Sequence, residues 1–118
     1  MNIQDTLNDL MGVDGAMCAA VVDADSGMML GQAGSGLDLE IAAAGNTEVV
    51  RAKIKAMRAL QLNDVIEDIL ITLGKQYHII RPIAKSNGIF LYFVLDKGKS
   101  NLALARRKLQ DAEANIEL

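Results

Sequence analysis

The sequence predicts a layered α/β (α+β) fold: a five-stranded antiparallel sheet ordered 2-1-5-4-3, with a long helix on one face and the N- and C-terminal helices on the other. Three observations lead there. Apolar residues switch between helical and strand spacing in the order α-β-β-α-β-β-β-α. The first and fifth strand segments are apolar at every position, which suits strands covered on both faces in the middle of a sheet. Short turn sequences join the first two strands and the last three, so sequence neighbours should pair as antiparallel hairpins.

The elements follow in order. Ile3, Leu7, Leu10 and Met11 share one helical face, and Gly12 is placed to end that helix in a left-handed C-cap. Ala16 to Val22 is the first all-apolar strand. Asp23-Ala24-Asp25-Ser26-Gly27 supplies a turn, with Gly27 at the left-handed position, and Met28 to Leu30 returns as the second strand. Gly31 to Gly36 reads as a glycine-rich loop.

The longest helical pattern spans about Asp38 to Leu60, with Leu39, Ala42, Ala43, Val50, Ile54, Met57 and Leu60 at helical spacings. Gly45 and its neighbouring alanines leave part of this helix smooth. Val65–Leu73, Tyr77–Ile83 and Ile89–Leu95 form the last three strands, joined by Gly74-Lys75 and by Lys85-Ser86-Asn87-Gly88. Pro82 cannot donate to a ladder and belongs at a strand end or bulge. Ser100 is placed to cap a final helix with the stripe Leu102, Ala105, Leu109, Ala112 and Ile116.

Composition bounds the function. The 118 residues are 51% hydrophobic and only 3% aromatic, so residues 1–118 are expected to form one domain around an aliphatic core. A net charge of −3 argues against nucleic acid as a partner, because that footprint needs clustered excess Lys and Arg. One Cys and one His cannot supply a His/Cys zinc site, and no cofactor motif appears. The lone Cys fits a reducing compartment, the acidic first residues do not form a signal peptide, and no apolar run is long enough to span a membrane. The expected location is cytoplasmic.

Few residues offer chemistry. The Gly31–Gly36 loop precedes a helix, as a phosphate cradle does, but lacks the Lys-Ser/Thr of a P-loop and the third glycine of a dinucleotide site. His78 has no recognisable orienting carboxylate or nucleophile, and Cys18 lies in the most apolar strand, as a buried thiol would. Glu67 and Asp68 are adjacent in a strand and point to opposite faces, so they make no catalytic dyad. Arg51, Lys55 and Arg58 share one face of the long helix, either as a solvated cationic face or as a partner-facing patch. Arg106, Arg107 and Lys108 read as lying near the C-terminal end of their helix, where cations suit the macrodipole. No catalytic constellation emerges, and the chain is expected not to be an enzyme.

The third strand is the informative edge. Val65, Ile66, Ile69, Leu70, Ile71 and Leu73 make it long and apolar, whereas unpaired edges are normally short, charged or bulged. Pairing with the same strand of a second copy would satisfy its open backbone groups.

Several runs resemble the roadblock/dynein light chain family, particularly its bacterial branch. They are Gly12-Val13-Asp14-Gly15-Ala16 leading into Ala20-Val21-Val22-Asp23, the turn Ser26-Gly27, and Leu37-Asp38-Leu39 opening the long helix. Glu67-Asp68-Ile69-Leu70-Ile71-Thr72-Leu73, Tyr77-His78-Ile79-Ile80-Arg81 and Asn101-Leu102-Ala103-Leu104-Ala105-Arg106 complete the set. The resemblance implies a profilin-like roadblock fold and a homodimer built on the third strand and the long helix. By strand and helix phase its interface would use Val50, Ile54, Met57, Ile66, Asp68, Leu70 and Thr72. It also implies a regulatory or scaffolding role toward a Ras-like small GTPase. The alternative is a small-molecule or nucleotide sensor of the same layered fold, with the Gly31–Gly36 loop and the Ala-rich helix start lining the ligand site.

Overall fold

A computed structural model describes all residues, Met1–Leu118. Its elements are α1 (Ile3–Leu10), β1 (Ala16–Asp23), β2 (Met28–Gly34), α2 (Leu39–Ala59), β3 (Ile69–Thr72), β4 (Gln76–Pro82), β5 (Ile89–Asp96) and α3 (Leu102–Asn115). The strands form one antiparallel sheet ordered β2-β1-β5-β4-β3, as the sequence predicts.

Alternation along the central strands builds two cores. Leu91, Phe93 and Leu95 of β5, with Ala19 and Val21 of β1, face Leu7 and Leu10 of α1, Ala105 and Leu109 of α3, and Ile116 just past the end of that helix. Phe90, Tyr92 and Val94, with Cys18, Ala20 and Val22, face Leu39, Ala43 and Val50 of α2. Period-two alternation sends consecutive residues of one strand to opposite layers, which is why both central strands read as unbroken apolar runs.

Four local expectations change. Gly12 is not left-handed: α1 closes on Met11 in helical geometry, and the positive φ falls three residues later at Gly15 (+82°). There a Cβ would sit 2.7 Å from that of Ser100, so close packing accompanies the left-handed backbone. Asn101, not Ser100, caps α3 by accepting from the Leu104 N–H, while the buried Ser100 hydroxyl has no partner.

The glycine-rich stretch is mostly strand, because Gly31 to Gly34 pair with β1 from Val21 to Cys18. Its glycines answer a packing need: a Cβ on Gly31 would lie 2.7 Å from Ile3 of α1. The third strand is far shorter than its apolar run, only Ile69–Thr72, and residues 62–68 reach it as an irregular segment without strand pairing. Pro82 ends β4 and Gly27 takes a positive φ in the β1–β2 turn, both as expected.

Candidate functional site: the open edge and the α2 overhang

The first three turns of α2 are anchored and its remainder is not. Asp38 caps the helix by accepting from the Glu40 and Ile41 N–H groups at 3.1 and 3.2 Å, and Leu39, Ala43, Thr47 and Val50 are buried. From Arg51 to Leu60 every residue is exposed except the half-buried Met57, so the second half projects past the sheet. Ile54 and Leu60 are 37% and 66% exposed, and beyond them stand Leu62 (51%) and Val65 (78%).

A groove of about 1100 Å³ lies beneath this overhang. Ile54 and Met57 of α2, Ile66 of the connecting segment, and Pro82, Ile83 and Phe90 at the end of the sheet line it. Lys55 and Arg58 also line it and make no ion pair, so the cationic face that the sequence suggests survives in two of its three members. Arg51 is committed elsewhere: its Nη2 donates to the backbone oxygens of Ala24 and Asp25 at 2.6 and 2.7 Å, tying α2 to the β1–β2 turn.

β3 bonds to β4 on one side only, so its other side is open. The Leu73 N–H donates to the Gln76 oxygen across the Gly74-Lys75 turn. Alternation in an antiparallel pair then makes Ile71–His78 and Ile69–Ile80 the hydrogen-bonded couples and turns the backbone groups of Leu70 and Thr72 outward. Those outward groups are what a further strand would meet.

The residues expected to form an interface are therefore not brought together as one surface. Val50 is 5% exposed within its own chain's core and has little surface left for a partner. The Asp68 carboxylate is taken by Arg106 of α3 in a two-pronged pair at 3.0 and 3.1 Å. The Leu70 side chain packs toward the α1/α3 core while Thr72 is exposed at the strand's end. Ile54, Met57 and Ile66 share the groove. Ile69 and Ile71, which sequence phase passes over, are half-buried on the α2 side of β3, where that helix covers them incompletely.

The polar interior is structural. Tyr92 donates its hydroxyl to His78 Nδ1 at 2.9 Å, and His78 Nε2 donates to the Gln76 side-chain oxygen at 2.8 Å, an acceptor that fixes the tautomer. Burial lowers the His78 pKa, so the ring is neutral at pH 7. Burial raises Tyr92, outweighing a hydrogen bond to Asn46 that acts the other way, and burial also raises Cys18. Both ring nitrogens of His78 are thus engaged, and the one hydroxyl in contact with it is held protonated. No group of three or more His, Cys, Asp or Glu side chains has a metal-holding geometry.

The anion-cradle reading of Gly31–Gly36 fails on two counts: most of the segment is in β2, and the Asp38 carboxylate already occupies the α2 N-terminus. No helix is long and apolar enough to cross a membrane.

These features define a class: a two-sided five-stranded α/β module whose exposed features are an open sheet edge and an overhanging helix. Comparison with known structures narrows it. The chain has the Roadblock/LC7 fold. It superposes on a Roadblock/LC7 domain from Streptomyces avermitilis with a TM-score of 0.83 at 11% identity, covering 97% of this chain and 93% of that one. Against Myxococcus xanthus MglB the TM-score is again 0.83, at 18% identity over 95% and 89% of the two chains. MglC of the same organism aligns with a TM-score of 0.62 at 19% identity over 93% and 92%. By sequence, no family model matches and no curated protein is similar.

Proposed function

We propose that this chain is a non-catalytic, homodimeric regulatory module of the roadblock type, residing in the cytoplasm and acting on a Ras-like small GTPase. The observation that carries the reading is the open β3 edge, which turns the Leu70 and Thr72 backbone groups outward beside exposed apolar side chains. Pairing of β3 with its twin would join two five-stranded sheets into one of ten. Ile54, Met57, Ile66, Ile69 and Ile71 supply apolar surface beside that seam, and Val50 anchors the helix that carries part of it. The fold shared with MglB and MglC supports a regulatory role, and the engaged, neutral His78 supports the absence of catalysis. Lys55 and Arg58, exposed and without ion pairs, are the residues proposed to face the GTPase.

Sedimentation equilibrium at micromolar concentration tests the dimer, and a concentration-independent monomer mass would refute it. Nucleotide hydrolysis and release by Ras-like small GTPases from the same source organism test the regulatory half. The expected result is a changed rate that Lys55→Glu/Arg58→Glu abolishes. An unchanged rate together with no binding would refute it.

A further inference from the structure

The Asp68–Arg106 pair has a consequence for the proposed interface. β3 is four residues long and bonds to a single neighbour. Upstream, residues 60–65 are all exposed and the segment has no strand partner. At the junction, one residue before the strand, Asp68 is held by the Nε and Nη2 donors of Arg106. The Asp68 side chain is 17% exposed and that of Arg106 39%, so the carboxylate is largely shielded while the guanidinium stays partly in solvent.

α3 itself is firmly seated. Ala105, Leu109 and Ile116 are buried, and two turns beyond Arg106 the Glu113 carboxylate accepts from Arg81 of β4 and from the Ala84 N–H. Arg106 and Glu113, seven residues apart, lie on one helical face and reach toward the outer strands of the sheet. One grips the beginning of β3 and the other the end of β4.

We infer that α3 is the strut of the edge: Arg106, through Asp68, holds β3 against β4 in the register that a twin strand needs, so displacing α3 weakens self-association. Arg106 and Asp68 are positioning residues here and need not touch the second chain. The inference rests on the dimer reading above. A bidentate guanidinium–carboxylate pair fixes orientation as well as distance, which a lone apolar contact at Leu70 does not.

The test compares Arg106→Gln, Asp68→Asn, the double variant, and Arg107→Gln, a control that removes a cation from the exposed neighbouring position. Amide hydrogen exchange at Ile69 and Ile71, which bond to β4, reports the strand, and sedimentation equilibrium reports association. Arg106→Gln and Asp68→Asn are expected each to speed exchange at Ile69 and Ile71 at least tenfold relative to β1 and β5, and to raise the dimer dissociation constant at least tenfold. They change net charge in opposite directions, so a bulk electrostatic effect would separate them. The double variant should be no worse than either single, and Arg107→Gln should match wild type.

Exchange at Ile69 and Ile71 within twofold of wild type, or raised equally throughout the sheet, would overturn the strut. So would a loosened strand with undiminished association. A monomeric wild type overturns the dimer reading by itself, and the exchange comparison still decides whether Arg106 holds the strand.

Discussion

Thr72→Pro separates the outward backbone of β3 from its inward backbone. Thr72 is exposed at the end of the strand, and the alternation set by the Leu73–Gln76 bond points its N–H away from β4. Proline is tolerated on an edge strand when the missing donor faces solvent, so the isolated chain should fold normally. In a twofold pairing of β3 with its twin, each copy loses one donor and leaves one partner carbonyl unsatisfied. At about 1–3 kcal/mol for each stranded group, the dimer loses about 2–6 kcal/mol, a rise of at least roughly 30-fold in the dissociation constant. Leu70→Lys is a poorer probe, because Leu70 packs against its own α1/α3 core and the fold would suffer with the interface. Ile71→Pro is the positive control: it removes a donor to β4 and should destabilise the chain itself. Sedimentation velocity across a dilution series measures association, and thermal melting at the lowest concentration confirms the monomer. A normally melting Thr72→Pro with wild-type association would refute β3 pairing.

Four substitutions away from the β3 edge have defined outcomes. Burial opposes ionisation of Glu113, but the Ala84 N–H and the Arg81 guanidinium outweigh it and lower its pKa. Its contribution to stability is therefore fully present above the unfolded value near 4.5 and is lost as pH falls through the lower folded value. Glu113→Gln should cost about 1–3 kcal/mol in urea denaturation at pH 7, with the gap to wild type closing in acid. His78 has its pKa lowered by burial, so the unfolded chain takes up the proton first and stability falls once pH drops below about 6.5; His78→Gln should flatten that limb of the melting-temperature profile. Gly34→Ala forces a side chain onto a φ of +81° and brings its Cβ into clash with the Met17 carbonyl oxygen, costing at least ~2 kcal/mol. Gly27→Ala, at φ +76° with open space around it, should cost only the ~1–2 kcal/mol of the backbone term in the same denaturation assay.

Periodicity made the fold legible and tertiary contact hid most of the candidate site. The two all-apolar strands mark β1 and β5 because both faces of each are used, and the sheet order follows from them and the short turns. Gly31 and Gly34 misled because a glycine that admits α1 or a left-handed strand end looks in sequence like a loop glycine. Val65 and Ile66 read as strand because apolar β-branched residues carry that signal whether or not a neighbour is present. Asp68–Arg106 spans thirty-eight residues and had no local signature, so Arg106 passed for a cation near the C-terminal end of its helix, whereas Arg106, Arg107 and Lys108 lie in the N-terminal half of α3 and its last turn holds no cation. The phase argument that selected Leu70 and Thr72 concerned side chains, whereas their outward-facing groups are backbone and become visible only once the partner of Leu73 is known.

The distribution of exposed apolar side chains bears on why the third strand is shorter than its sequence. Seven of the twelve large exposed hydrophobics, Ile41, Val49, Ile54, Leu60, Leu62, Val65 and Leu73, fall within one stretch running from α2 through the connecting segment to the end of β3. A lone chain has no strand beyond β3 against which residues 62–68 could pair, so they stay outside the sheet, with the Leu62 and Val65 side chains in water. Exposure at about 25 cal/mol per Å² of apolar surface makes that arrangement costly by itself, and a bulged or charged edge would have avoided it. The cost is offset when a second surface arrives, and the same apolar stretch then favours association. β3 should accordingly lengthen toward Val65 on pairing: exchange protection confined to Ile69 and Ile71 in dilute protein is expected to spread upstream through residues 65–68 as concentration rises. Protection that stays confined at every concentration would mean that the apolar connection serves something other than the sheet.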